Sequence, residues 1–131
     1  MRHPINCLTI GLFCSLLFAP TALAQNCNDA QSQAEINQCA YQEYSREDAE
    51  LNRVWKEIQR SFTRDRWNQK RKAALLASQR AWLAYRDKDC EGAVGTEWEG
   101  GSGRPMAVGF CLTALTKTRT ERLRERYLSG R

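Results

Sequence analysis

The sequence predicts an all-α fold, a three-helix antiparallel hairpin bundle held by two disulfides, on three observations. Apolar residues recur at threes and fours in three separate stretches, the period of one helical face. No stretch alternates as a half-buried strand does. Four cysteines remain once an N-terminal leader is set aside, an even number that reads as paired in an oxidising compartment.

The leader comes first. Arg2 and His3 give a short basic start, and Cys7 to Ala19 runs apolar except for Thr9, Gly11 and Ser15. Pro20 and Thr21 then precede Ala22-Leu23-Ala24, a small-x-small cleavage signal. Residues 1–24 are therefore expected to be a secretory signal peptide cut after Ala24, with residues 25–131 forming a single helical domain. The apolar run falls short of the roughly 20 residues that span a bilayer, so no membrane anchor is expected to be retained. Phe13 precedes Cys14 where a lipoprotein signal needs a small residue, which excludes lipidation there. The expected location is periplasmic or secreted.

Gln25 to Gln31 is a polar lead-in carrying Cys27. Ser32-Gln33-Ala34-Glu35 reads as a capping box, the serine hydroxyl accepting from a free backbone N–H and the glutamate reaching back. From there to about Arg64 there is neither proline nor glycine, and Ile36, Ala40, Tyr44, Leu51, Trp55, Ile58 and Phe62 form one stripe. Asp65 and Asn68 are both suited to cap a second helix. Its stripe is Leu75, Leu76, Gln79, Trp82, Leu83, Arg86 and Cys90, and the short connection makes the two helices antiparallel.

Glu91 to Pro105 holds five glycines and no helical period, so it is expected to be a long glycine-rich loop. Pro105 suits the first turn of a third helix, where its missing N–H costs nothing. Val108, Cys111, Leu112, Leu115, Leu123 and Tyr127 mark the buried side of that helix. Arg119 interrupts the stripe, as a snorkelling side chain or as half of a buried ion pair. Up-down-up topology collects Cys39, Cys90 and Cys111 at one end, with Cys27 close by in sequence. Cys27–Cys39 and Cys90–Cys111 are the favoured pairings, and crossed pairings at the same end stay open.

Charge and chemistry narrow the function classes. The formal charge of +5 becomes +4 when Arg2 leaves with the leader, a mixed-sign balance that points away from nucleic acid. The one histidine, His3, also leaves, and no pair of the remaining cysteines has zinc-ligand spacing. No catalytic residue, metal ligand or cofactor is expected, and the protein is read as a non-enzyme.

Two groups of side chains are candidates for binding. Asp87 and Asp89, with Glu97, Trp98 and Glu99, form an acidic run around an aromatic residue suited to anchoring a protein partner. Gln79 and Arg86 face the core and need polar partners, which Asp48 and Asn52 on the first helix supply. An Asp48–Arg86 contact with Asn52 and Gln79 beside it is expected as a lock on helix register, the alternative being a binding pocket. Arg119, Arg122, Arg124 and Arg126 read as a solvated face interleaved with Glu121 and Glu125, with a rail for anionic envelope polymers as the minor alternative.

Several of these residues form a recognisable pattern. Asn37-x-Cys39-Ala40, Asp48-x-x-Leu51-Asn52 and Gln79-Arg80-Ala81-Trp82-x-x-Tyr85-Arg86-Asp87-x-x-Cys90 are its first three parts. Gly100-Gly101-Ser102, Cys111 and Leu115-Thr116-x-x-Arg119 complete it. In this the chain resembles the LprI-type lysozyme-inhibitor-like domain of bacterial exported proteins, over nearly all of residues 25–131. The resemblance implies a small, helical, disulfide-bonded envelope protein. Through a mycobacterial lipoprotein member regarded as a lysozyme inhibitor, it also implies a protein partner of the muramidase type. The alternative is a structural or accessory envelope protein that binds another bacterial component and does not act on lysozyme.

Overall fold

Three long helices carry the architecture. The computed structural model describes residues 27–62 and 66–130. The expected signal peptide and its cleavage site lie outside these residues. A 3-10 turn at Cys27–Asp29 leads into α1, Gln33–Ser61. Helix α2, Arg66–Asp87, runs on without a break into a π-helical segment, Lys88–Val94, and a single helical turn, Gly95–Glu97. Helix α3 spans Arg104–Tyr127. No strand occurs among the described residues.

The helix ends follow local chemistry. The Ser32 hydroxyl accepts from the Glu35 N–H at 3.2 Å, and the Glu35 carboxylate accepts from the backbone N–H groups of Ser32 and Gln31, both at 2.9 Å. Side chains therefore satisfy the cap N–H of Ser32 and the free N–H of Glu35 at the start of α1. At its far end, Phe62 turns extended and stops the helix. Asn68 lies inside α2 rather than capping it, and Asp65 lies outside the described residues. Pro105 sits in the first turn of α3 as expected.

The largest departure from expectation is the loop. Glu91 to Glu97 is helical, and the irregular connection shrinks to residues 98–103. Gly92 and Gly95 break the apolar pattern that signals a helix, but the Cys90–Cys111 disulfide and the side chain of Arg104 hold this stretch wound. A one-residue expansion of the turn is how a helix accommodates such a constraint, which accounts for the π-helical character around Cys90.

Helices α1 and α3 make the closest contact. Ala40 is fully buried, and a Cβ placed on Gly109 would stand 2.9 Å from the Ala40 Cβ. Only glycine permits that approach. Thr113, Thr116 and Thr120 continue the same side of α3, all buried. Thr113 and Thr120 donate to carbonyls one turn back, at 2.8 and 2.9 Å, so these hydroxyls enter the interior with partners.

The apolar core lies in the other half of the bundle. Leu51, Val54, Ile58, Leu75 and Leu123 are buried together, ringed by Trp55, Phe62, Trp82, Tyr127 and Leu128. Both disulfides form as favoured, Cys27–Cys39 and Cys90–Cys111, with Cα separations of 5.6 and 5.5 Å. They staple the end remote from this core.

Candidate functional site

Two constellations emerge. The first is the network of Arg86, whose side chain is only 7% exposed. Its Nη1 donates to Asp48 Oδ1 at 3.1 Å and to Thr116 Oγ1 at 3.4 Å, and its Nε donates to Asp87 Oδ1 at 2.9 Å. The guanidinium also lies 5.4 Å from the ring centres of both Tyr44 and Trp82, within cation–π range. One side chain therefore joins all three helices. Burial disfavours its charge, but the hydrogen bond to Asp87 and the interactions with Tyr44 and Asp48 outweigh that cost, so its pKa is raised. Desolvation likewise pushes the Tyr44 hydroxyl up, against the pull of Arg86.

The other lock residues divide. Asn52 donates to Asp48 Oδ2 at 2.9 Å, joining the Arg86 cluster. Gln79 is turned instead to α3, its Oε1 accepting from Arg119 Nε at 3.0 Å. Arg119 is thus held by a neutral amide, with Ser78 Oγ at 3.4 Å, and not by a carboxylate. Burial, the largest influence, lowers its pKa; Tyr127 pulls the other way and Arg122 adds to the lowering. Asp48, Asn52, Gln79 and Arg86 nevertheless line one groove of about 450 Å³ between α1 and α2, with Trp55 and Leu83 among its apolar walls.

The second constellation is the stapled acidic end. Asp87 is taken up by Arg86, with Nη2 to Oδ1 at 2.9 Å, and does not stand with the exposed acids. Asp89 lies 3.5 Å from the Tyr85 hydroxyl. Its carboxylate also approaches the sulfurs of Cys90 and Cys111. Both sulfurs are spent in the disulfide, so this group offers one free ligand atom and no metal centre.

Glu97, Trp98 and Glu99 form the rim of this end, all exposed, with Trp98 at 44%. The turn that carries them is fixed on every side. Backbone N–H groups of Glu99, Gly101 and Arg104 donate to Thr96, Trp98 and Gly101 carbonyls at 3.1 to 3.2 Å. Gly100 takes φ +77°, a conformation that favours glycine. One part of the Trp98 ring rests against Gly103, where an added Cβ would meet it at 3.1 Å. Asn37 Nδ2 reaches across from α1 to the Ser102 carbonyl at 2.9 Å.

Arg104 completes the clamp, donating from Nε to the Gly95 carbonyl at 2.9 Å and from Nη2 to the Glu91 carbonyl at 3.3 Å. A cation there also suits the negative end of the α2 helix dipole. Sequence reasoning missed both this clamp and the buried threonines. Gly109, Thr113, Thr116 and Thr120 repeat at four, three and four, a small-residue stripe that could have been found.

These features define a class: a small three-helix bundle, stapled at one end, that presents a rigid acidic turn carrying a half-exposed tryptophan. A family model described as "Lysozyme inhibitor LprI" matches residues 24–123, and the chain belongs to this family. An uncharacterized protein of Rhizobium meliloti (strain 1021) is 38% identical over 95% of this chain and 95% of its own length. The uncharacterized protein YecT of Escherichia coli (strain K12) is 31% identical over 76% of this chain and 67% of its own. No solved structure matches the chain. No described helix is long and apolar enough to cross a membrane.

Proposed function

We propose that this chain is an exported protein-binding module that inhibits a lysozyme-type muramidase, and that Glu97, Trp98 and Glu99 are its contact surface. The observation that carries this reading, within a family described as lysozyme inhibitors, is the fixed turn itself. Its backbone is hydrogen-bonded internally, bound to α1 through Asn37 and clamped by Arg104, so binding costs little ordering entropy. A half-exposed tryptophan between two carboxylates suits a partner surface with an apolar notch between cations. Against a basic muramidase, a chain of net positive charge gains no long-range steering, so recognition must rest on this local acidic patch.

The test is muramidase activity titrated with purified, oxidised protein, using animal-type, goose-type and phage-type enzymes. Saturable inhibition of one class is expected. The Glu97→Lys/Glu99→Lys variant should weaken it by at least about a hundredfold, the scale of two reversed charge contacts, with the melting temperature nearly unchanged. Equal inhibition by the variant would refute the contact surface, and no inhibition of any enzyme by the native protein would refute the function.

A further inference from the structure

The face between α2 and α3, away from the acidic turn, collects cations that no described carboxylate pairs with. Arg71 and Arg126 line a cavity of about 390 Å³ floored by Leu75, Ser78 and Tyr127. A smaller pocket of about 180 Å³ shares that floor and Arg126, and adds Arg119 and Arg122. Elsewhere on the bundle Arg53 pairs with Glu50 and Glu57, Arg86 with Asp48 and Asp87, and Arg124 with Glu50, while other arginines unpaired among the described residues, such as Arg46 and Arg80, do not gather around this cavity. Among the described residues, no carboxylate lies within ion-pair distance of Arg71, Arg119, Arg122 or Arg126. Arg71 has Asn68 Oδ1 at 3.3 Å and the Phe62 ring, Arg119 has Gln79 and Ser78, and Arg126 lies over the Tyr127 ring.

The sequence of α2 reinforces the pattern. Arg66, Lys70, Arg71 and Lys72 crowd its first half, its first turn carries no acid, and its only carboxylate is the last residue, Asp87. The first half of α2 thus carries an excess of positive charge with no acid of its own to offset it. Arg119 is moreover half-buried, its charge partly stripped of water before any ligand binds.

We propose that this groove is an anion-binding site for a diphosphate, or a similarly compact and multiply charged phosphate group. Guanidinium forks match phosphate oxygens two at a time, which favours phosphate over a diffuse negative surface. The joined pockets have room for a compact group, and Leu75 and Tyr127 offer an apolar rest for whatever the phosphates are attached to.

Isothermal titration of the oxidised full domain with inorganic pyrophosphate at low ionic strength tests the site. One ion per chain should bind. The Arg71→Gln/Arg126→Gln variant, which changes two exposed side chains, should lose about tenfold or more in affinity while keeping its melting temperature and its effect on muramidases. Arg46→Gln/Lys56→Gln removes the same charge elsewhere and should lose less than about twofold. No pyrophosphate binding, equal loss in both variants, or equal affinity for citrate would each overturn the proposal. So would binding to vesicles rich in anionic phospholipid without binding to pyrophosphate, which would mark a general surface attraction instead of a site.

Discussion

The two halves of this bundle hold together by different means. At the end formed by Phe62, Tyr127 and Leu128, large apolar side chains pack around Val54 and Ile58, both with no exposed surface. At the opposite end, Ala40 and Cys90 are fully buried, the helices meet through a glycine, threonines and the Cys90–Cys111 disulfide, and Cys27–Cys39 ties the lead-in to α1. A small domain has too little apolar surface to bury a core along its whole length. Cross-links free the second end from needing bulk, which leaves its surface available for a polar, exposed turn. Arg86 stands between the halves and ties all three helices, with the ring of Trp82, which borders the core, against its guanidinium.

The sharpest way to break this division is to injure each half and measure both stability and muramidase inhibition. Ile58→Ala empties a fully buried site and should cost about 2–5 kcal/mol in denaturant unfolding. Below its melting temperature, it should inhibit as the native protein does. Cys90→Ser/Cys111→Ser removes the longer cross-link, spanning 21 residues, and should cost about 2–4 kcal/mol. A loss on that comparable scale should nevertheless weaken inhibition by about tenfold or more, because the turn then has to be ordered on binding. If both variants lose inhibition in proportion to stability, the two halves are one cooperative unit and the division is wrong.

The same division explains what could be read from the sequence. The apolar half was legible because Leu51, Ile58, Leu75 and Leu123 stand at helical spacing and nothing competes with that signal. The stapled half was legible in its cysteines, its capping box and Pro105, but not in its connection. Five glycines between Glu91 and Pro105 argue for a loop, and local propensity does argue that way. The residues that wind Glu91 to Glu97 instead are distant in sequence: Cys111 through its disulfide and Arg104 through carbonyl contacts. The Arg86 region was intermediate. A buried arginine demands a carboxylate, and Asp48 is the one that the antiparallel register brings opposite, which sequence periodicity can supply. That Gln79 turns away to Arg119 could not be read, because it depends on how far α2 leans toward α3 rather than α1. The acidic residues were read as one cluster, yet Asp87 belongs to the Arg86 network. A residue one position after Arg86 is in reach of its guanidinium, and periodicity does not resolve such a local choice.

The smallest expected effect concerns where α1 enters the stapled end. Backbone hydrogen bonds from Ser32, then Gln31, together with the Ser32 side chain, hold the Glu35 carboxyl below its ordinary value of 4.5. A carboxylate whose pKa is depressed by folding stabilises the folded state fully above its unfolded pKa, and that contribution fades as pH falls through the folded value. Glu35→Gln keeps a side-chain acceptor but loses the charge, so it should be less stable than the native protein at neutral pH. The gap should then close as the medium is acidified below the range where a free glutamate titrates. Urea unfolding of both proteins across that interval measures it, and a gap independent of pH would show that the reach of the side chain, not its charge, secures the helix start. In the Cys27→Ser/Cys39→Ser background the gap should persist with the same pH dependence, because the cap's hydrogen bonds are local to residues 31–35 and do not pass through the disulfide.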